Sequence, residues 1–216
     1  MKTLVKITLV TLMLASLSGC QTAYYSAMEQ VGVHKRDILV DRVEEARESQ
    51  EEAQEQFKDA LEQFRSVVSF DGGELDKLYN RLQGEYDDSV AAAEDVSNRI
   101  DKVEQVSEAL FEEWEEELTK YSNRKLRDQS AAKLRTTKAR YAELIRSLKR
   151  AEKRMPPVLS ALQDNVLFLK HNLNARAIGS LKAEYRGIKS NIDLLVRDME
   201  KAITESDRFI KQMEQG

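Results

Sequence analysis

The side chains best suited to nucleophilic or metal chemistry are few and far apart in this chain. Its 216 residues include one cysteine, Cys20, and two histidines, His34 and His171. A single thiol excludes an intramolecular disulfide and a zinc site built from several cysteines. The two distant histidines indicate neither a histidine-rich metal site nor a catalytic triad. Since no HExxH pair, GxSxG elbow or glycine-rich phosphate loop occurs either, we expect no enzyme, no metal site and no cofactor.

The chemistry that Cys20 does favour is covalent attachment of lipid. Lys2 and Lys6 give the chain a basic start. Residues 4–17 then form an apolar run of about 14 residues, whereas about 20 are needed to cross a bilayer. A basic start and a short apolar run of this kind are typical of a secretory signal peptide.

The apolar run ends in Leu17-Ser18-Gly19-Cys20, which resembles the lipobox of bacterial lipoproteins. In that class the cysteine sulfur is joined to a diacylglyceryl group as a thioether, and signal peptidase II then cuts before the cysteine. We therefore predict a lipoprotein signal peptide over residues 1–19 and a short lipid-anchored linker over residues 20–27. The only attached group expected is the lipid on Cys20. An ordinary signal peptide that leaves a free thiol is the alternative.

The residue after the cysteine bears on the destination of such a lipoprotein. It is Gln21, whereas lipoproteins retained in the inner membrane of enterobacteria usually carry Asp there. By that resemblance, we expect the protein to be anchored to the periplasmic face of the outer membrane.

The rest of the chain has the composition and spacing of long amphipathic helices. Charged residues make up 33% of the chain and aromatic residues 6%, with 8 glycines and 2 prolines, which argues against a sandwich or barrel. Apolar residues recur at alternating intervals of four and three, which places them on one face of a helix. We predict an all-α fold over residues 28–216: an elongated antiparallel helical bundle with coiled-coil packing and about four long helices.

Four apolar stripes are predicted to face the core. The first consists of Leu39, Val43, Ala46, Gln50, Ala53, Phe57, Ala60, Phe64 and Val67. The second consists of Leu75, Leu78, Leu82, Tyr86, Val90, Ala93, Val96, Ile100, Val103, Ser107, Leu110, Trp114, Leu118 and Tyr121. The third consists of Leu134, Lys138, Tyr141, Ile145, Leu148, Glu152 and Met155. The fourth consists of Ile178, Leu181, Tyr185, Ile188, Ile192, Leu195, Met199, Ile203, Ser206, Ile210 and Met213. Residues 158–173, the most apolar segment after Cys20, are expected to be surrounded by other helices.

Three short segments predict where helices end. Phe70-Asp71-Gly72-Gly73-Glu74 predicts a helix–helix turn, because glycine adopts the left-handed conformation that closes a helix. A calcium loop is the alternative there, although Asp71, Glu74 and Asp76 lack the ligand spacing of such loops. Ser122-Asn123 is the preferred second break, with a continuous polar helix as the alternative. Pro156-Pro157 predicts a kink or the start of a new helix, because proline cannot donate the helical hydrogen bond.

Charge is distributed unevenly along the predicted helices. Residues 85–117 contain thirteen acids and two bases, whereas residues 120–154 contain thirteen bases and three acids. The basic segment has three interpretations: it binds nucleic acid, it contacts anionic lipid or cell-wall polymer, or it packs beside the acidic helices. We favour the last, since ion pairs between helices select which helices pair. Nucleic acid is disfavoured as a partner because a periplasmic protein does not meet it.

One polar cluster follows the most apolar segment and consists of Lys170, His171, Asn172 and Asn174. Its side chains are interpreted either as satisfying the last carbonyl groups of a helix or as a small binding site where a helix junction opens.

This cluster, Met155-Pro156-Pro157-Val158-Leu159 and Asn165-Val166-Leu167-Phe168-Leu169 together resemble a family of proteobacterial lipoproteins catalogued as a domain of unknown function. The resemblance covers nearly the whole chain after Cys20 and is most specific over residues 166–181. That family has no established activity or catalytic residues, so the resemblance implies none here. Such sequences are sometimes labelled DNA-repair ATPases. We attribute that label to coiled-coil similarity, because no phosphate-binding loop is present.

Taken together, these features favour a non-enzymatic scaffold or adaptor of the cell envelope. We expect it to be held at the membrane by its lipid and to bind envelope proteins or further copies of itself. The alternative is a module that binds a small ligand or cell-wall polymer at the helix junction near His171.

Overall fold

The computed structural model places four long helices in the part of the chain that it describes. That part comprises residues 25, 27–29, 31–70, 72, 74–173 and 175–215, with the backbone alone for residues 175–177. The predicted lipobox and lipidation site, Leu17, Ser18, Gly19 and Cys20, lie outside the described residues, as does Asn174.

The helices are connected in the order of a simple up-and-down bundle. They are α1 (Lys35–Val68), α2 (Leu75–Lys120), α3 (Arg124–His171) and α4 (Ala175–Glu214). Both α1 and α3 pack against α2 and α4, so the four helices form a closed ring. Because short turns join successive helices, neighbours in the ring run antiparallel. The described residues contain no strand, and the predicted all-α antiparallel bundle is confirmed.

Two of the predicted helix ends are also confirmed. In the turn between α1 and α2, Gly72 has a φ of +146°, a backbone conformation that side-chain-bearing residues rarely adopt. Between α2 and α3, Asn123 caps the new helix: its Oδ1 accepts the N–H groups of Lys125 and Leu126 at 3.0 and 3.3 Å. A continuous polar helix through this region, the alternative, is wrong.

The start of a new helix at the proline pair is wrong, because α3 continues through Pro156 and Pro157. Neither proline has an N–H group, so the carbonyl groups of Glu152 and Lys153 lack their usual donors four residues later. Both prolines lie on the exposed side of α3. Water can reach those two carbonyls there, which explains how the helix tolerates the pair.

The first predicted stripe is confirmed in full, since all nine of its residues are buried in α1. Phe57 and Phe64 are among the largest fully buried side chains of the bundle. The ring of Phe64 stacks on that of Tyr185 in α4, with centroids 6.0 Å apart. This stripe therefore packs α1 against α4, the last helix of the chain.

The other stripes have the predicted spacing but the wrong phase at several positions. In α2, Ser89 is buried instead of the predicted Val90. In α3, Thr137, Leu144 and Ala151 are buried instead of Lys138, Ile145 and Glu152, respectively. In α4, Ala202 and Phe209 are buried instead of Ile203 and Ile210. A helix with about 3.6 residues per turn lets either of two adjacent residues face the core. Small residues at three of these positions allow close helix approach, and the bulkier neighbours lie half-buried at the flanks.

The expectation that residues 158–173 are surrounded by other helices is wrong. Leu167, Phe168 and Leu173 are 47%, 39% and 40% exposed. In a ring of four helices α3 packs against two neighbours and keeps one face toward solvent. These three residues lie on that face or at its end, and we call them the distal patch.

One polar residue lies inside the apolar core. Gln50 in α1 is fully buried, and neither its Nε2 nor its Oε1 has a hydrogen-bond partner among the described residues. A buried amide without partners costs free energy, because the hydrogen bonds that it made to water in the unfolded chain are not replaced.

Replacing Gln50→Met is expected to raise the free energy of unfolding by about 1–2 kcal/mol, because Met has a similar volume and no amide to desolvate. Urea titration followed by circular dichroism measures the change. Gln54→Met is the matched control, since the Gln54 amide donates to the Val196 carbonyl at 3.3 Å and its loss brings no gain. A lower unfolding midpoint for the Gln50 variant would show that its amide is satisfied in solution.

Candidate functional site

The two ends of the bundle are formed by different helix ends and turns. The N-terminal end comprises the start of α1, the turn between α2 and α3, and the end of α4. The distal end comprises the turn between α1 and α2 and the turn between α3 and α4, next to the distal patch. These two ends and the charged surfaces between them are where functional groups are accessible, since the interior of the ring is filled by apolar side chains.

A short turn at the N-terminal end leads the chain into α1. The N–H of Val33 donates to the carbonyl of Met28 and that of Gly32 to the carbonyl of Glu29, both at 3.0 Å, while Gly32 has a φ of +85°. This pair of hydrogen bonds is the Schellman arrangement that ends a helical turn with glycine. It fixes the direction of the backbone between Met28 and the start of α1.

Lys35 fastens this turn to the bundle. Its ammonium group pairs with the Glu29 carboxylate and donates to Glu113 Oε1 in α2 at 2.9 Å, and its side chain is 11% exposed. Burial lowers the pKa of Lys35, but the hydrogen bonds to Glu29 and Glu113 outweigh burial and hold that pKa above its usual value. Lys35 is therefore a structural cation.

A second ion-pair group joins α1 to α2 near the middle of the bundle. Arg42 in α1 and Arg99 in α2 each donate to the carboxylate of Glu45, with closest distances of 2.7 Å. Arg99 also lies 3.3 Å from Asp95. Burial raises the pKa of Glu45, but the two guanidinium groups outweigh burial and lower it below its usual value. The group relieves repulsion between two acidic helices.

Replacing Glu45→Gln is expected to lower the free energy of unfolding by up to about 1 kcal/mol at neutral pH, a small effect because the ion pair is partly exposed. In acid the loss should be smaller, because the pair requires an ionised Glu45 carboxylate. A carboxyl whose pKa folding lowers stabilises the fold above its unfolded pKa, here 4.5. That contribution is lost as the pH falls through the lower folded-state pKa. Urea titrations at neutral pH and at about pH 3 measure both values. Glu55→Gln, exposed on the same helix, is the control. A Glu45 effect that is equal at both pH values would contradict this assignment.

The basic segment does pack beside the acidic one, as predicted. Lys149 in α3 lies 2.9 Å from Glu104 and 3.5 Å from Asp101, both in α2. Lys138 makes a further pair with Glu115. Burial lowers the pKa of Lys149, but its hydrogen bond to Glu104 and the nearby carboxylates outweigh burial and raise it. A lysine acting as a base or nucleophile needs a lowered pKa, so Lys149 has the properties of a structural cation.

A cleft of about 260 Å³ opens at the N-terminal end, between all four helices. Leu110, Trp114 and Met213 line its apolar part. Its charged lining residues are Arg36, Glu113, Glu117, Lys133 and Arg140. No local sequence motif predicts this cleft, since its residues come from distant parts of the chain. Its lining combines apolar and charged side chains, which suits contact with an amphipathic group.

The polar cluster at the distal end is spread over the end of α3. Lys170 and His171 are exposed, and Asn172 donates from its side chain to the Phe168 carbonyl at 2.9 Å and from its backbone to the Leu169 carbonyl at 3.0 Å. These contacts agree with the helix-end interpretation.

A shallow groove next to this cluster is lined by Asn165, Phe168, Leu181 and Glu184, among other residues, but by no described member of the cluster. The Asn165 amide is already engaged, since it donates to the Ala161 carbonyl at 2.7 Å. A binding site at Lys170, His171, Asn172 and Asn174 stays a prediction.

Among the described residues, no group of three His, Cys, Asp or Glu side chains is arranged to hold a metal ion. None of the described helices combines the length and the apolar character needed to cross a bilayer.

Comparison with known proteins places the chain in a family. A family model described as "Protein of unknown function (DUF2959)" matches residues 24–213, which include all four helices almost entirely. Neither the curated proteins nor the solved structures contain a significant match. The match spans most of the chain, and the protein therefore belongs to this family of helical proteins of unknown function.

Proposed function

We propose that the protein is a lipoprotein, anchored through Cys20 to the periplasmic face of the outer membrane, that acts as a non-enzymatic helical scaffold in the cell envelope. The observation that carries the proposal is the separation of the distal patch from the end where the chain enters the bundle. With 48 residues, α3 alone is about 72 Å long. A partner bound at Leu167, Phe168 and Leu173 is therefore held far from the membrane surface.

The chemistry of the described residues supports binding over catalysis. Lys35 and Lys149 are the two described lysines whose pKa is shifted. In both the pKa is raised, and both side chains form ion pairs. The distal patch exposes three large apolar side chains within seven residues of the chain, and exposed apolar side chains that form a patch are typical of a surface that another molecule covers. Envelope proteins or further copies of this chain are the partners that such a patch suits.

Replacing Cys20→Ser is expected to abolish labelling by radioactive palmitate, because a hydroxyl cannot form the thioether. A high-salt wash should then move this variant, but not the parent protein, from the membrane fraction to the soluble fraction. Membrane fractionation on a density gradient also tests the assignment to the outer membrane. Ser18→Ala is the matched control, since a small residue before the cysteine keeps the lipobox intact. If the parent protein takes up no palmitate, or the Cys20 variant stays in the membrane fraction with the parent after the high-salt wash, the proposed anchoring is wrong.

A photoreactive amino acid placed at Leu167 or Phe168 is expected to form adducts with envelope proteins in living cells. The same probe at Arg150, which is exposed midway along α3, is the control and should form fewer adducts. Adducts with glycan instead of protein would favour the alternative function, a module that binds cell-wall polymer at the distal end. Equal labelling at all three positions, or none, would contradict a scaffold that uses this patch.

Stability measurements separate loss of binding from loss of fold. Leu167→Ser and Phe168→Ser are expected to change the unfolding free energy by about 0.5 kcal/mol or less, because both side chains face solvent. Leu169→Ser, one residue further but fully buried, should cost several kcal/mol.

A further inference from the structure

The turn between α2 and α3 extends past the ends of α1 and α4. The start of α1 is level with Glu113, because Lys35 pairs with that residue. The end of α4 is level with residues 133–140 of α3, because residues in that range line the same cleft as Met213. Lys120 lies seven residues beyond Glu113 in α2, about 10 Å along the helix axis. Residues 118–127, which we call the hairpin tip, therefore extend past α1 and α4.

The hairpin tip is strongly basic. It contains Lys120, Arg124, Lys125 and Arg127 and no acidic residue. The side chains of Arg124 and Arg127 are 88% and 45% exposed, and both lysines are exposed as well. In the described part of the chain, Asp128 is the only carboxylate within 4.0 Å of any of these four cations. Lower on α3, by contrast, Lys149 pairs with three carboxylates.

Large apolar side chains lie among these cations. Tyr121 is 41% exposed and Leu126 is 51% exposed, and both belong to the hairpin tip. Val31, at the same end of the bundle, is 73% exposed. Single exposed apolar residues are ordinary in soluble proteins. A tyrosine and a leucine set between arginines and lysines on a projecting turn, however, match the mixed polar and apolar character of a membrane interface.

The hairpin tip is also held rigidly. Asn123 caps α3 directly beneath the apex. About two helical turns below, Trp114 Nε1–H in α2 donates to Ser130 Oγ in α3 at 2.8 Å and joins the two helices. The four cations are therefore presented by a preformed surface, which lowers the entropic cost of binding.

We infer that the hairpin tip binds the anionic phospholipid headgroups of the membrane that holds Cys20. This inference rests on the proposed lipid anchor. Cys20 is five residues from Tyr25, which limits its distance from the bundle to about 18 Å. A bilayer anchored there is within reach of the tip. Lysine and arginine side chains near an anionic lipid surface each add to attraction, and Tyr121 and Leu126 enter the interface beside them.

Vesicle sedimentation of a chain that begins at Gln21 tests the inference without the lipid. This chain contains the whole buried core, which lies between Tyr25 and Met213. Binding is expected to phosphatidylglycerol vesicles and not to phosphatidylcholine vesicles, and to weaken as salt is added. Changing the four tip cations to glutamine should weaken binding about tenfold or more. Tyr121→Ser with Leu126→Ser should weaken it further at high salt, where the apolar contribution remains.

A matched variant removes the same charge elsewhere. Arg150, Lys153, Lys182 and Arg186 are exposed on α3 and α4 and lie away from the tip. Changing all four to glutamine should leave vesicle binding within about twofold of the parent chain. Equal loss in both variants, or no binding of the parent chain to phosphatidylglycerol, would overturn the inference. Failure of palmitate labelling in cells, by contrast, would overturn the anchor and leave the vesicle result standing.

Discussion

Burial of one apolar stripe per helix against the two helices beside it is the interaction on which this structure depends. A fully buried Phe57, Leu148 or Met199 contributes about 1.5–3 kcal/mol through loss of apolar surface from water. Backbone hydrogen bonds of an isolated helix contribute far less, because water competes for the same groups. The closed ring gives every stripe two neighbours and uses all the inward-facing side chains. Binding must therefore take place on the outer faces or at the two ends.

The charged residues affect which helices pack side by side more than they affect the free energy of unfolding. Residues 44–62 and 85–117 are both acidic, yet α1 and α2 pack together because Arg42, Arg99 and Lys35 supply cations between them. The basic α3 lies across the ring from α1, where it meets the acidic α2 on one side. Exposed pairs of this kind are worth at most about 1 kcal/mol each. Their combined effect is to disfavour other arrangements of the same four stripes.

The sequence predicts the buried residues of a helix well only where a single rotation of that helix places its apolar residues in the core. Charged residues flank nearly every member of the α1 stripe, so only one rotation of the helix buries apolar residues. All nine predicted residues are buried. In α3, Leu144 and Ile145 are adjacent, so two phases satisfy the same spacing. The exposure of Leu167 and Phe168 depends on the number of neighbouring helices, which no local pattern contains. The cleft near Trp114 escapes prediction for the same reason, since four separate helices form it.

The chemical difference between the two ends gives the proposed tether a direction. A rod held at a bilayer by a lipid anchor alone has no preferred orientation and can also lie parallel to the bilayer. The flanks formed by α1 and α2 carry an excess of acids, and an anionic surface repels them. The hairpin tip carries four bases and is attracted to the same surface. On the proposed anchoring, these opposing forces favour contact with lipid through the hairpin tip over contact through the flanks of α1 and α2.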